Sequence, residues 1–170
     1  MNTKKAYRKL GFSSIESASV VKALNNLLAN YQVHYQKLRN YHWNVVGPDF
    51  FELHEIFEEE YKAVHEQIDK IAERIRVFGQ RPISTFHEYL ERSEIKEPTS
   101  AMTGHEMVRD IKSDYEILLS LMIDVTHASA SIGDTATDHM ITRFVERIEK
   151  RHWMLTAYTK TTVRQPAELN

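Results

Sequence analysis

Apolar residues recur at Val20, Leu24, Leu27, Leu28, Tyr31, Tyr35 and Leu38, the spacing of one face of an α-helix. Upstream, Ser13-Ser14-Ile15-Glu16 places a serine three residues before a glutamate, a capping box that opens this first helix. A second helical run carries Phe50, Leu53, Phe57, Val64, Ile68, Ile71 and Ile75. Asp49 with Glu52 opens it, and it is predicted to run to Phe78 and stop at Gly79. A connector follows from about residue 80 to about residue 100, and its middle, Ser84 to Arg92, has the composition of a short helix. Thr103 with Glu106 is another capping box and starts a helix reaching about Ala130. Gly133-Asp134 breaks the pattern, and a last helix runs to about Lys160.

The five glycines and four prolines sit at these breaks rather than inside the runs, which favours long helices over short strands. Four helices of about 25 residues would each span about 37 Å. The first and last connections are short, so each joins an antiparallel hairpin, whereas the middle one is long enough to cross the bundle. That is a ferritin-like, all-α four-helix bundle with a short extra helix in the long connection. The domain reading is a flexible basic N-terminal arm over residues 1–13, the bundle over 14–160 and a C-terminal tail over 161–170.

The 170 residues suffice for one domain with a sizeable core. There are no cysteines, which removes disulfides, thiolate metal sites and cysteine nucleophiles. A formal charge of −2 gives no global attraction to nucleic acid, so such binding would need a local basic patch. The opening MNTKKAYRKL lacks an apolar signal region, and no apolar run reaches the roughly 18 residues a membrane span needs. The expectation is a cytoplasmic protein with no membrane partner.

The chemistry lies in YHWNVVGPDFFELHEIFEEE, residues 41–60. On a helical wheel with His54 at the origin, Glu58, Asp69 and Glu73 fall within about 100° of it, while the apolar face centres near 280°. The His/carboxylate stripe therefore lies off the core-filling face, toward solvent or a second chain. His54/Glu58 and Asp69/Glu73 are both i, i+4 pairs, a spacing at which two side chains can share one ion. The pairs are about 22 Å apart along the helix, so one ion cannot reach both. Two antiparallel copies of this helix, with a two-fold axis near Ala63-Val64, would place each pair beside the other's complement and create two identical sites. His42 lies in the first helix's apolar stripe, where the tight turn can bring it to His54. Two imidazoles and three carboxylates without a thiolate suit iron, manganese or zinc, and a partly exposed set suits Fe(II) redox chemistry.

The segment LLANYQVHYQKLRNYHWNVVGPDFFELHEIFEEEY followed by IDKIAERI, with RPISTFHEYL and KRHWMLTAY further on, resembles the Dps family, the miniferritin DNA-binding proteins from starved cells. The resemblance spans nearly the whole chain. It implies a homo-dodecameric shell that oxidises Fe(II), preferring hydrogen peroxide over dioxygen, and stores ferric mineral inside. It also implies ferroxidase sites between subunits, with His42, His54 and Glu58 from one chain and Asp69 and Glu73 from its neighbour. Glu58 stands where many members have aspartate, which shifts the carboxylate and so the metal spacing. His65 lies on the same stripe, and near the proposed axis its two copies would be offset by about 4.5 Å along the helices. An accessory metal ligand and a packing residue are both open for it. For Trp43 the openings are a site-lining residue, which in this family is thought to absorb oxidising equivalents, and an interface side chain. Glu55 and Glu59 fit either mineral nucleation or a solvated face. Asp134 and Asp138 are candidates for the acidic iron pore of the family, with Asp134 equally suited to cap the last helix. Lys4, Lys5, Arg8 and Lys9 make the N-terminal arm a candidate for non-specific DNA contact, which would put the protein at the nucleoid.

Two other readings compete. A ferritin proper builds its di-iron site inside one bundle and needs Glu-x-x-His motifs on two helices with a glutamate on each of the others. Glu149 with His152 fits, Asp124 with His127 nearly does, and the second helix has no such motif, so this reading fails. The other is a structural DNA-compacting protein with an idle metal site, against which the intact ligand set argues.

Overall fold

The computed structural model describes residues 11–98 and 101–160. Its helices are α1 (Ser14–Asn44), α2 (Phe50–Val77), α3 (Phe86–Arg92), α4 (Gly104–Ile132) and α5 (Thr135–Thr159). α1 packs against α2, α4 and α3, and α5 packs against α4. The result is a ferritin-like four-helix bundle with α3 in the crossing connection. The candidate DNA-contact residues Lys4, Lys5, Arg8 and Lys9 and the tail from residue 161 lie outside the described residues.

Both capping boxes form, Ser13 with Glu16 at α1 and Thr103 with Glu106 at α4, and a third, Thr85 with Glu88, starts α3. Gly133 ends α4 at φ 70°, a left-handed conformation open to glycine at low cost. α2 does start after Asp49, but for a different reason from the expected one. The Asp49 side chain makes no capping bond. It accepts instead from the Tyr158 hydroxyl at 2.7 Å, so the end of α5 holds the α1–α2 turn. The long connection is pinned along α1 by two buried asparagines. Asn25 Oδ1 accepts from the Ile83 amide at 3.0 Å. Asn30 Oδ1 accepts from the amides of Glu94 and Ile95, at 2.9 and 3.0 Å, and from the Ser93 hydroxyl.

The core is built from Leu24, Leu27, Leu28, Leu38, Phe57, Ile71, Ile75, Ile111 and Tyr115 among others. On α2 the predicted apolar face is the buried one, with Phe50 and Ile68 partly covered. Ionic groups are buried with it. Glu60 bonds Arg147 at 2.8 Å, Arg151 at 2.5 Å and the Tyr115 hydroxyl at 3.0 Å. Lys37 lies between Asp110 and Asp114 at 2.7 and 2.8 Å, and Asp114 also bonds His34. These groups meet across helices, so each buried charge has its counter-charge and hydrogen bonds, as burial requires.

Candidate metal centre

Only five residues, Val45 to Asp49, separate α1 from α2. Val45 is buried and its amide still bonds Tyr41, closing α1. Gly47 at φ 113° then reverses the chain, a backbone region costly for any residue with a Cβ. This short reversal lays His54 of α2 against His42 of α1.

The two imidazoles lock each other. His42 Nδ1 lies 2.8 Å from the His54 carbonyl, and His54 Nδ1 lies 2.8 Å from the His42 carbonyl. A carbonyl can only accept, so both Nδ1 atoms carry hydrogen. In the neutral rings the lone pairs are then on Nε2, the tautomer a metal needs, with the backbone bond that commonly orients ligand histidines. The rings stack with centroids 3.8 Å apart and planes 24° apart. Phe50 stacks on His54 at 5.1 Å, and Tyr61 meets His42 edge-on at 5.4 Å. His42 is 9% exposed and His54 partly so.

Glu58 lies one turn beyond His54, near enough to both imidazoles for a protonated ring to lower its carboxyl slightly. The hydrogen bond from Lys62, at 2.5 Å, is the main reason its carboxyl sits below the usual carboxylate range. The carboxylate is therefore ionised in mild acid, with an exposed lysine as an exchangeable counter-charge. The donor set fits a divalent first-row metal such as Fe(II): two neutral nitrogens and one carboxylate.

The structure brings His42 and His54 into contact, sets Glu58 one helical turn beyond His54 with its carboxylate on Lys62, and leaves Asp69 and Glu73 apart from them. Both are exposed on the same stripe of α2, about 22 Å along the helix from the His54/Glu58 pair. Among the described residues no three His, Asp or Glu side chains of one chain converge to hold an ion. The bundle interior, where a ferritin proper places its irons, is filled by ion pairs. Glu60 and Asp114 already face Arg147, Arg151 and Lys37, and those cations repel a metal. His152 lies 3.5 Å from Glu116 rather than in a carboxylate cluster.

The remaining candidates fall as follows. His65 is exposed and packs on the Tyr35 ring at 6.0 Å. Trp43 is 58% exposed beneath the Arg39 guanidinium at 4.7 Å. Glu55 is exposed, and Glu59 pairs with Arg151 at 2.6 Å. Asp134 is buried; it accepts from the Thr137 amide as the α5 cap and pairs with Arg74 at 2.6 Å. In this chain its carboxylate does structural work, and Asp138, half-buried, is the more accessible of the two. Sequence reasoning missed Tyr61 as the ring against His42. The i+7 spacing from His54, which sets both on one helix face, was the available signal.

A profile described as "Ferritin-like domain" matches residues 21–164. The chain is 40% identical over 139 residues to "DNA protection during starvation protein 2" of Bacillus anthracis, covering 82% of this chain and 95% of the relative. It is 38% identical over 142 residues to "General stress protein 20U" of Bacillus subtilis, covering 84% and 98%. The crystal structure of a Dps protein from Vibrio cholerae O1 superposes with a TM-score of 0.87 at 38% identity, over 94% of this chain and 100% of that one. That protein is described as a member of a broad superfamily of ferritin-like diiron-carboxylate proteins.

Proposed function

The chain belongs to the Dps family of ferritin-like proteins, and from that premise we propose that it oxidises Fe(II) at sites shared by two subunits. His42, His54 and Glu58 of one subunit hold the ion from one side, and Asp69 and Glu73 of a neighbour close the site. The observation that carries this reading is the reciprocal His42–His54 lock beside Glu58, together with the distance that keeps Asp69 and Glu73 from reaching it within one chain.

Iron is the substrate, and two Fe(II) supply the electrons that reduce one hydrogen peroxide to water. The chain's part is to orient donors before the metal arrives. The carbonyl bonds fix both imidazoles in the ligating tautomer, and the Phe50 and Tyr61 rings limit their rotation. Lys62 leaves Glu58 when a metal takes its place. Hydrogen peroxide is the preferred oxidant over dioxygen, and the ferric product accumulates as mineral inside a closed homo-dodecamer in the cytoplasm. Consuming iron and peroxide together protects DNA from oxidative damage, and the basic N-terminal arms add weak, non-specific DNA binding. An anomalous-scattering map from crystals soaked in Fe(II) tests the reading. Density between His42/His54 of one subunit and Asp69/Glu73 of the next is expected. Iron bound only within single bundles would refute it.

A further inference from the structure

The rings do not stop at the imidazole pair. Tyr61 meets His42 with centroids 5.4 Å apart and planes at 73°. Tyr35 meets Tyr61 at 6.2 Å and 80°, and His65 lies on Tyr35 at 6.0 Å. These spacings are those of rings in edge-to-face or tilted contact, so an unbroken aromatic path runs along the α1–α2 seam from the metal ligands. Tyr61 and Tyr35 are both half-buried, packed on one side and open to solvent on the other. Trp43 is next to His42 in sequence, but its ring contact among the described residues is with Arg39, and it is 58% exposed.

Breaking the O–O bond of hydrogen peroxide to give water takes two electrons. A site holding a single Fe(II) supplies one, and without a second donor the products are hydroxide and a hydroxyl radical. We propose that Tyr61 is the second donor at the half-loaded site, an inference that rests on the ferroxidase reading above. One electron comes from Fe(II), which becomes Fe(III). The second electron and a proton come from the Tyr61 phenol, which becomes a neutral phenoxyl radical. A further proton comes from solvent, the O–O bond breaks, and two waters leave. Electron loss through His42 needs no large motion, because the two rings are already in contact. Tyr35 extends the path away from the iron and gives the hole a second resting place.

The assembled protein is loaded anaerobically with one Fe(II) per His42/His54 pair, mixed with equimolar hydrogen peroxide and freeze-quenched for electron paramagnetic resonance. A phenoxyl signal, shifted by ring-deuterated tyrosine, is expected in the wild type and in Trp43→Phe. In Tyr61→Phe it is expected to fall several-fold, with a several-fold rise in spin-trapped hydroxyl radical. Mass spectrometry of trap adducts on the wild type locates the radical without any substitution, and the adduct is expected on the peptide containing Tyr61. An undiminished phenoxyl signal in Tyr61→Phe, or an indole radical and adduct on Trp43, overturns the proposal. Ferric absorbance at full iron loading is read on the same preparation. Its absence in the wild type removes the ferroxidase reading and this inference together, whereas iron oxidation without a phenoxyl radical removes this inference alone.

Discussion

If each site takes one half from each of two subunits, two inactive variants must restore each other. His54→Ala removes a nitrogen ligand and leaves Asp69 and Glu73 intact, and Asp69→Ala does the reverse. Neither side chain fills the core, since His54 is only partly covered and Asp69 is exposed, so both variants are expected to assemble. Alone, each has every site damaged. In shells co-refolded from equal amounts, about half of the two-fold interfaces pair unlike subunits, and each such interface holds one intact site and one doubly damaged site. About a quarter of all sites are then whole, and the mixture should oxidise Fe(II) at about a quarter of the wild-type rate per subunit. The assay is ferric absorbance after peroxide addition, with native mass spectrometry to verify mixing. The about 22 Å between the two ligand pairs on one α2 rules out rescue within a chain. Verified mixed shells no faster than either parent would refute the shared site.

Three other outcomes follow from the same structure. Glu60→Ala leaves Arg147 and Arg151 without their buried counter-charge and should cost about 3–5 kcal/mol, toward the lower end because Arg151 keeps Glu59; thermal unfolding reads it, and an unchanged melting temperature would contradict it. Asn30→Ala strips the acceptor from the Glu94 and Ile95 amides and should cost about 1–3 kcal/mol, with faster hydrogen exchange at those amides and little change in α5. Deleting residues 1–9 removes Lys4, Lys5, Arg8 and Lys9 and should abolish DNA retardation in a low-salt gel while iron oxidation persists. Because the arms act through phosphate contacts and multiplicity, retardation by the intact protein should fall steeply with salt, and no retardation at low salt and mildly acidic pH would end the DNA reading.

The helices were legible because their signals are local. Capping boxes at Ser13 and Thr103 and a left-handed glycine at Gly133 involve residues a few positions apart, and the apolar periodicity of α2 marks its inner face directly. The stripe of His54, Glu58, Asp69 and Glu73 was legible for the same reason, since one helix fixes where its own side chains point. What residues on different helices do to one another was not legible. Glu60 sits on the apolar face of α2, and nothing nearby in the chain announces Arg147 or Arg151, 87 and 91 positions away. Lys37 and Asp114 are hidden in the same way, 77 positions apart. Asp49 has the sequence of a helix cap and is used instead by Tyr158. Asp134 has the charge of a pore residue and is buried by Arg74. His42 and His54 were expected to be neighbours, but the reciprocal carbonyl bonds that decide their tautomers, and the contact of Tyr61 with His42, exist only once the turn at Gly47 has closed. A charged or ring side chain acquires its role from the group it faces, and that group is supplied by the packing of helices rather than by the neighbouring sequence.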